Sequence, residues 1–340
     1  MSLERTPEQE RLTAIVRRFP QCRIVVVGDL VADQFLYGEI SRVSREAPVL
    51  ILRYERTETM PGGAANCATN LAALNSKAVL IGAVGEDEAG SAMVEKLSAS
   101  GVECGGIVSS PALRTTTKVR ILAGQAHSTR QQVIRIDYEA QPLADTAVRE
   151  QLRSRLLAEV ETADAIIISD YNYGVADAGM LPAIREASAR RGIPVLADSR
   201  FGLTRFDGFT SATPNEDEVE QVLGRHFADD AQLEAASLEL RERLGYRALL
   251  VTRGNRGMML LEAGAAPLHI EAVGAREPVD VTGAGDTVIA TYALALASGS
   301  TFADAAQLAN HAGGLVVMKR GTASVSRQEL LSSILRWGET

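Results

Sequence analysis

A chain of 340 residues, 46% of them hydrophobic, can bury one large core, and 4% aromatic content leaves Ala, Val, Leu and Ile to fill it. Its 43 acidic residues outnumber 35 basic ones, and the net charge of −8 argues against a general nucleic-acid-binding surface while leaving room for a local basic pocket. No apolar run approaches the ~20 residues of a membrane span. The opening MSLERTPEQERL is too polar for a signal peptide, and Cys22, Cys67 and Cys104 form no CxxC pair or zinc spacing. The expectation is a cytoplasmic protein with reduced thiols and no membrane or nucleic-acid partner.

Taken in order, Arg23–Gly28 (RIVVVG) is a β-branched run that predicts a buried strand. Pro61–Asn75 starts on a Gly pair and continues as an Ala-rich helix. Lys77–Val84 predicts a strand, and Glu86–Ser100 a helix that stops at Gly101. Ala165–Ser169 and Pro194–Ala197 predict strands around a helix over about 177–191, and Ala248–Thr252 a strand after a helix over 231–244. Asp286–Ala297 and Phe302–Met318 predict two late Ala-rich helices. This alternation argues for a three-layer α/β fold with a mostly parallel central sheet, in one domain spanning 1–340.

Two stretches break the alternation. Residues 35–58 carry strand-like runs without helical spacing; residues 115–138 read as a hairpin, TTTKVRILAG, a polar turn, then QQVIRIDY. Both predict a small β-lid over a site.

The segment DVTGAGDT, residues 280–287, sets three small residues before a carboxylate and a helix. Small residues let the backbone approach a ligand, and the free N–H groups of a helix start attract an anion. Asp286 there is either a helix cap or a general base for phosphoryl transfer, with Gly283, Ala284 and Gly285 offering backbone donors to the migrating group. A dinucleotide loop is disfavoured, because Val288 stands where the third Gly of GxGxxG belongs. No Walker A loop is present. In MPGGAANCATNLAALN, residues 60–75, Gly62, Gly63 and Asn66 suit either a helix start that needs small residues for packing or a Gly-Gly turn whose backbone, with Asn66, touches a polar substrate.

GGAAN near the N-terminus and DVTGAGDT near the C-terminus together resemble the two signatures of the ribokinase-like (PfkB) sugar kinase family. Asn75 stands where that family has Gly or Ser, at a helix end whose left-handed conformation Asn tolerates. TPNEDE (213–218) is similar to the family's NxxE motif, VTRGNRG (251–257) to its TxGxxG nucleotide loop, and GDLVAD (28–33) to the strand end that places an aspartate on substrate hydroxyls. Within the family, the chain resembles most the members that use ATP to phosphorylate the anomeric hydroxyl of D-glycero-D-manno-heptose 7-phosphate, for ADP-heptose and lipopolysaccharide synthesis. It departs from them at Tyr173, where they have Lys, and at Asp198-Ser199-Arg200, where they have a DPK-like segment. His127, His226, His269 and His311 form no HxGH motif, so no nucleotidyltransferase activity is expected alongside the kinase.

The resemblance implies roles. Asp286 is the base. Asp33, Gly62, Gly63 and Asn66 hold sugar hydroxyls, and Arg42, Lys118, Arg120 and Arg135 read the acceptor's phosphate. Asn215, Glu218, Thr252, Gly254, Gly257 and Asn310 bind the nucleotide. Glu218 organises Mg²⁺ through water, and Asp280 and Thr282 surround a monovalent cation such as K⁺. The family's habits also imply a homodimer joined through the β-lid.

Overall fold

The structure, a computed structural model, describes residues 5–124, 130–274 and 277–336. The chain opens with helix α1 (Pro7–Arg18) and strand β1 (Arg23–Gly28), followed by two long strands, β2 (Leu30–Val43) and β3 (Leu50–Gly63). Then come α2 (Ala64–Ala73), β4 (Lys77–Gly85), α3 (Glu88–Ala99), β5 (Glu103–Ser110), β6 (Thr116–Gly124) and β7 (Gln131–Tyr138). The middle of the chain supplies α4 (Thr146–Val160), β8 (Ala165–Asp170), α5 (Leu181–Arg191), β9 (Val195–Ser199), the short β10 (Ser211–Ala212), α6 (Glu216–Leu223) and α7 (Asp230–Leu244). The last third holds β11 (Ala248–Thr252), β12 (Met258–Glu262), β13 (Leu268–Ile270), α8 (Ala284–Ala297), α9 (Phe302–Val316) and α10 (Arg327–Arg336).

Among the described residues the strands form two sheets. The larger has the order β13-β12-β11-β10-β9-β8-β1-β4-β5, parallel except where β12 runs against β11 and β13. Its alternating side chains feed two cores. Ile24, Val26 and Ile167 pack with α1, α2, α8 and α9 on one face; Val25, Val27 and Ile168 pack with α4, α5 and α7 on the other. This is the three-layer arrangement expected from the sequence. Helix α8 is apolar all round, with every residue from Asp286 to Ala295 buried, so its first turn is embedded in the molecule rather than laid on its surface.

The smaller sheet, β3-β2-β6-β7, is built by the two stretches that break the alternation. Its strands reach further than expected: β2 begins at Leu30 and β3 continues to Gly63. The Gly62–Gly63 pair therefore ends a strand instead of forming a turn, and α2 begins only at Ala64. The polar turn between β6 and β7, residues 125–129 including His127, lies outside the described residues. Asn75, just past α2, has φ 68°, the left-handed conformation its place at the helix end requires. No helix among the described residues is long and apolar enough to cross a membrane, and all three cysteines are free thiols.

Candidate active site

Residues at the C-terminal ends of β1, β8 and β9 gather near the start of α8: Asp29 holds Tyr171, Tyr171 bonds Asp286, and Asp198 lies close enough for its charge to act on Tyr171. Strand ends of an open parallel sheet are where ligands bind. Gly283, at φ 76°, is the N-cap of α8 and makes no side-chain cap. Asp286 is not a helix cap either, because both its oxygens face side chains. Asn66 Nδ2 donates to Oδ2 at 2.7 Å, and the Tyr171 hydroxyl donates to Oδ1 at 3.1 Å. The Asn66 amide is oriented by Asn70, whose Nδ2 donates to Asn66 Oδ1 at 3.2 Å, and Asn70 Oδ1 in turn accepts from Thr287 at 2.9 Å. Asp286 is 5% exposed. Burial lifts its pKa from 3.8 to about 6; Asn66 and Tyr171 pull it back, and the nearby Asp33 pushes it up. A carboxylate poised near neutrality suits a general base.

Of the three expected backbone donors, two are available. The N–H groups of Gly283 and Gly285 meet no acceptor among the described residues, whereas Ala284 N–H donates to the Val281 carbonyl at 3.2 Å and closes the turn. Two N–H groups without a partner among the described residues, at the positive end of a buried helix, suit an anion.

Asp33 is buried on β2, ion-paired with Arg120 and 3.5 Å from the Thr322 hydroxyl. A Cβ on Gly62 would stand 2.5 Å from Asp33 Oδ2, so the missing side chain is what lets the carboxylate lie against β3. Beside it, Asp29 accepts three backbone N–H groups, those of Tyr171, Tyr173 and Val175, at 2.8, 3.0 and 3.0 Å. Those bonds fasten the loop that aims Tyr171 at Asp286. Lys118 and Arg200 flank the Tyr171 ring, at 5.9 and 5.4 Å from its centre. Burial lowers the Lys118 pKa, and the Arg200 charge lowers it further, as two cations sharing one cleft must. Arg135 lies opposite Arg120 in the β6–β7 ladder, exposed and paired with Asp137 at 2.9 Å. Arg42 is not part of this group: it sits exposed nine residues beyond Asp33, about 30 Å along an extended strand. A cavity of about 880 Å³ lies against Arg120, Arg320, Asp280 and Thr322, between the smaller sheet and the loops around α8.

On the other side of Gly285 a second cavity of about 190 Å³ is lined by Thr252, Gly254, Gly257, Ala284, Gly285 and Asn310. Gly257 has φ 83° and packs so tightly on the Ile270 carbonyl that no side chain fits. Asn310 also donates to the Glu271 carbonyl at 2.6 Å, which fixes the cavity's wall. Asn215 bridges to Thr252 and caps α6 in a reciprocal box with Glu218: Glu218 N–H to Asn215 Oδ1 at 2.8 Å, Asn215 N–H to Glu218 Oε2 at 2.9 Å. The box leaves Glu218 Oε1 and Asn215 Nδ2 for other partners. Burial raises the Glu218 pKa. Asp198 is held well above the carboxylate range by burial and by the charges of Glu218 and Asp286. Asp280 accepts N–H groups from Thr282 at 2.9 Å and Gly321 at 2.8 Å, tying two loops together.

Asp29 and Tyr171 stand at the same site without having been singled out in the sequence, and Asp198 and Arg200, noted there only as a departure from the family's DPK-like segment, stand with them. All four share one signal, their position at the C-terminal end of β1, β8 or β9, with Asp198 the next-to-last residue of β9.

A ribokinase-like fold carrying an anion turn and a poised carboxylate defines a class of phosphotransferases. The pfkB family carbohydrate kinase pattern matches residues 21–329, and the chain belongs to that family. It is 42% identical over 323 residues to the bifunctional protein HldE of Hahella chejuensis, covering 93% of this chain and 64% of that protein. Against the bifunctional protein HldE of Methylococcus capsulatus it is 44% identical over 325 residues, covering 94% and 65%. The chain thus spans about 65% of the length of these relatives. Among solved structures, phosphofructokinase-2 from Escherichia coli in complex with substrates and products superposes with a TM-score of 0.75 at 18% identity, covering 92% of this chain and 98% of that one. Arabidopsis thaliana ribokinase complexed with ribose and ATP gives 0.71 at 23%, covering 92% and 98%. Both share the fold.

Proposed function

We propose that the protein is an ATP-dependent kinase of a sugar phosphate, and that its acceptor is the anomeric hydroxyl of D-glycero-D-manno-heptose 7-phosphate on the way to ADP-heptose. The observation that carries the kinase reading is Asp286, buried, held by two donors, raised to about 6 and adjacent to two free N–H groups. The heptose assignment is supported by the family motifs and by the similarity to proteins named HldE.

ATP would lie in the cavity over Thr252, Gly254, Gly257 and Asn310, with its terminal phosphate against Gly283 and Gly285. Asp33, Gly62, Gly63 and Asn66 face the acceptor's hydroxyls. Asp286 takes the proton of the attacking hydroxyl as that oxygen bonds to the γ-phosphorus and ADP leaves. Lys118, Arg120 and Arg135, joined by Arg200, supply positive charge for the acceptor's phosphate. Arg42 takes no part.

Mg²⁺ fits this site. Burial raises Glu218, and burial with the charges of Glu218 and Asp286 raises Asp198, a negative field that a divalent cation relieves. Mg²⁺ commonly keeps several waters and binds through one or two carboxylates plus substrate phosphates. Glu218 and Asp198 would hold it, and it would neutralise phosphate charge. The Asp280 carboxylate, which ties two loops together, and Thr282 would surround a monovalent cation such as K⁺.

We further infer that the smaller sheet is a lid over a single kinase domain. Ile134, Ile136 and Tyr138 on edge strand β7 stay exposed, a surface suited to pairing with a second copy. A cytoplasmic location accords with these substrates.

A panel of sugar phosphates, sugars and nucleosides with ATP and Mg²⁺ tests the reading, with phosphate formation at C1 of heptose 7-phosphate expected to be fastest. Strong activity on fructose 6-phosphate or a nucleoside with none on heptose 7-phosphate overturns the acceptor assignment. Tyr171→Phe tests the base. Losing a bond that lowers the Asp286 pKa raises it further, so the acid limb of the kcat profile moves upward from near pH 6. An unmoved limb would detach Asp286 from that limb.

A further inference from the structure

Next to the cavity over Thr252 and Gly254, four charged side chains form a closed ring. Arg253 and Arg256 lie on the loop between β11 and β12; Glu216 is the first residue of α6 and Asp230 the first of α7. Arg253 Nε donates to Glu216 Oε1 at 2.8 Å, and its Nη2 bonds Asp230. Arg256 Nη1 donates to Asp230 Oδ1 at 3.0 Å, and its Nη2 bonds the second oxygen of Glu216. Each arginine thus spans both helix starts, and each carboxylate serves both arginines. The Arg253 side chain is only 5% exposed. A buried guanidinium is tolerated where its donors are satisfied, and its planar fork fixes direction as well as distance.

The ring is placed to hold the nucleotide site in register. Arg253 stands between Thr252 and Gly254, which line the cavity, and its own N–H donates to the Gly257 carbonyl at 2.9 Å. Glu216 follows Asn215 directly, in the same turn as Glu218. Thr252 N–H bonds the Pro214 carbonyl at 2.9 Å and Asn215 bridges to Thr252, so the backbone joins the two segments at the base of the loop. The two arginines add side-chain attachments further along it, at residues 253 and 256, to the first turns of both α6 and α7.

We propose that Arg253 and Arg256, clamped on Glu216 and Asp230, are positioning residues that hold the nucleotide loop in fixed register with Asn215 and Glu218. The proposal rests on the reading of the 190 Å³ cavity as the ATP site. Its substrate chemistry is a nucleoside triphosphate with its divalent ion.

Titrating the full chain with β,γ-imido-ATP and Mg²⁺, and separately with heptose 7-phosphate, tests it. Arg253→Met is expected to weaken nucleotide binding about tenfold and Arg256→Met several-fold, with sugar phosphate affinity unchanged. Arg253→Lys should recover part of the loss, because it restores one charge without the fork. Arg253→Met combined with Glu216→Leu should bind nucleotide no worse than the weaker of the two single variants, as expected for residues acting through one link. Should Arg253→Met fail to fold, the half-exposed Arg256→Met and Asp230→Asn carry the same comparison. Equal losses for both ligands, or a lowered melting temperature with unchanged nucleotide affinity, overturn the clamp. A wild-type chain that binds no nucleotide overturns the clamp and the cavity's assignment together.

Discussion

Replacing Asp286 with Asn is expected to cut turnover by roughly two to four orders of magnitude while leaving nucleotide affinity nearly unchanged. The amide fits the hydrogen bonds present: its oxygen accepts from Asn66 Nδ2, and its nitrogen donates to the Tyr171 oxygen, which can turn to accept. What disappears is the ability to take a proton. The same change should stabilise the fold. Asp286 has a raised pKa, about 6 against 3.8 for the free group, so the native state binds its proton more tightly than the unfolded chain. Below pH 4 both states are protonated and Asp286 contributes nothing to the pH dependence. Between pH 4 and 6 the unfolded chain releases its proton first, and stability falls as pH rises. Above pH 6 the penalty is fully present, on the order of 3 kcal/mol for a shift of this size. Asp286→Asn removes it, so the variant should melt above the wild type at pH 8, with the gap closing by pH 4. Single-turnover kinetics and melts at the two pH values check both halves. Turnover within a factor of three of wild type would remove Asp286 from the role of base. Such a trade between stability and activity is expected where a charge is kept in an apolar site for chemistry.

The layers and much of the site could be read from the chain because they depend on local pattern. Apolar runs such as RIVVVG predict the strands, and the GGAAN and DVTGAGDT segments supply Asn66 and Asp286, which the structure brings into hydrogen-bond contact. Asn75 was legible because a helix end needs a residue tolerant of positive φ, and only a few residue types meet that need. Other features depend on contacts that spacing does not encode. Tyr171 acts on a carboxylate 115 positions away, and nothing in SDYNYG separates it from Tyr173, whose hydroxyl meets Glu139 at 3.3 Å instead. Asp29 looks like one more polar residue after a strand; its role appears once three N–H groups of a distant loop are seen to converge on it. The distance of Arg42 from Asp33 was hidden for a complementary reason. A cation on a strand reads the same at either end, and only the strand's full length, with Asp33 near one end and Arg42 near the other, separates them. Gly62 and Gly63 looked like a turn because glycine usually marks one. Here Gly62 instead makes room for Asp33.

Gly283→Ala is expected to be nearly as damaging to turnover as losing the base, although it removes no functional group. The residue has φ 76°, where a Cβ costs about 1–2 kcal/mol. That Cβ would also lie 2.5 Å from Asn66 Nδ2. Asn66 cannot step aside freely, because its oxygen is held by Asn70, and Asn70 by Thr287 of the same helix α8. Relief must come from moving the turn or breaking the Asn66–Asp286 bond, and either change misplaces the base or the N–H groups beside it. A shift of about 1 Å at a reacting centre is enough for a ~100-fold loss in kcat. The accompanying pH change separates the two routes. If the Asn66 bond breaks, Asp286 loses a donor that lowers its pKa, and the acid limb of kcat moves above its wild-type position near pH 6. If the turn moves instead, the limb stays and kcat falls at every pH. Gly285→Ala is the matched comparison. A Cβ there meets nothing within 4 Å, yet Gly285 lines the nucleotide cavity, so its expected effect is a raised KM for ATP with a smaller fall in kcat. Steady-state kinetics across pH on both variants decide the matter. Equal, mild losses at Gly283 and Gly285 would mean that the turn tolerates side chains generally and that the left-handed glycine is not what holds Asn66 against Asp286.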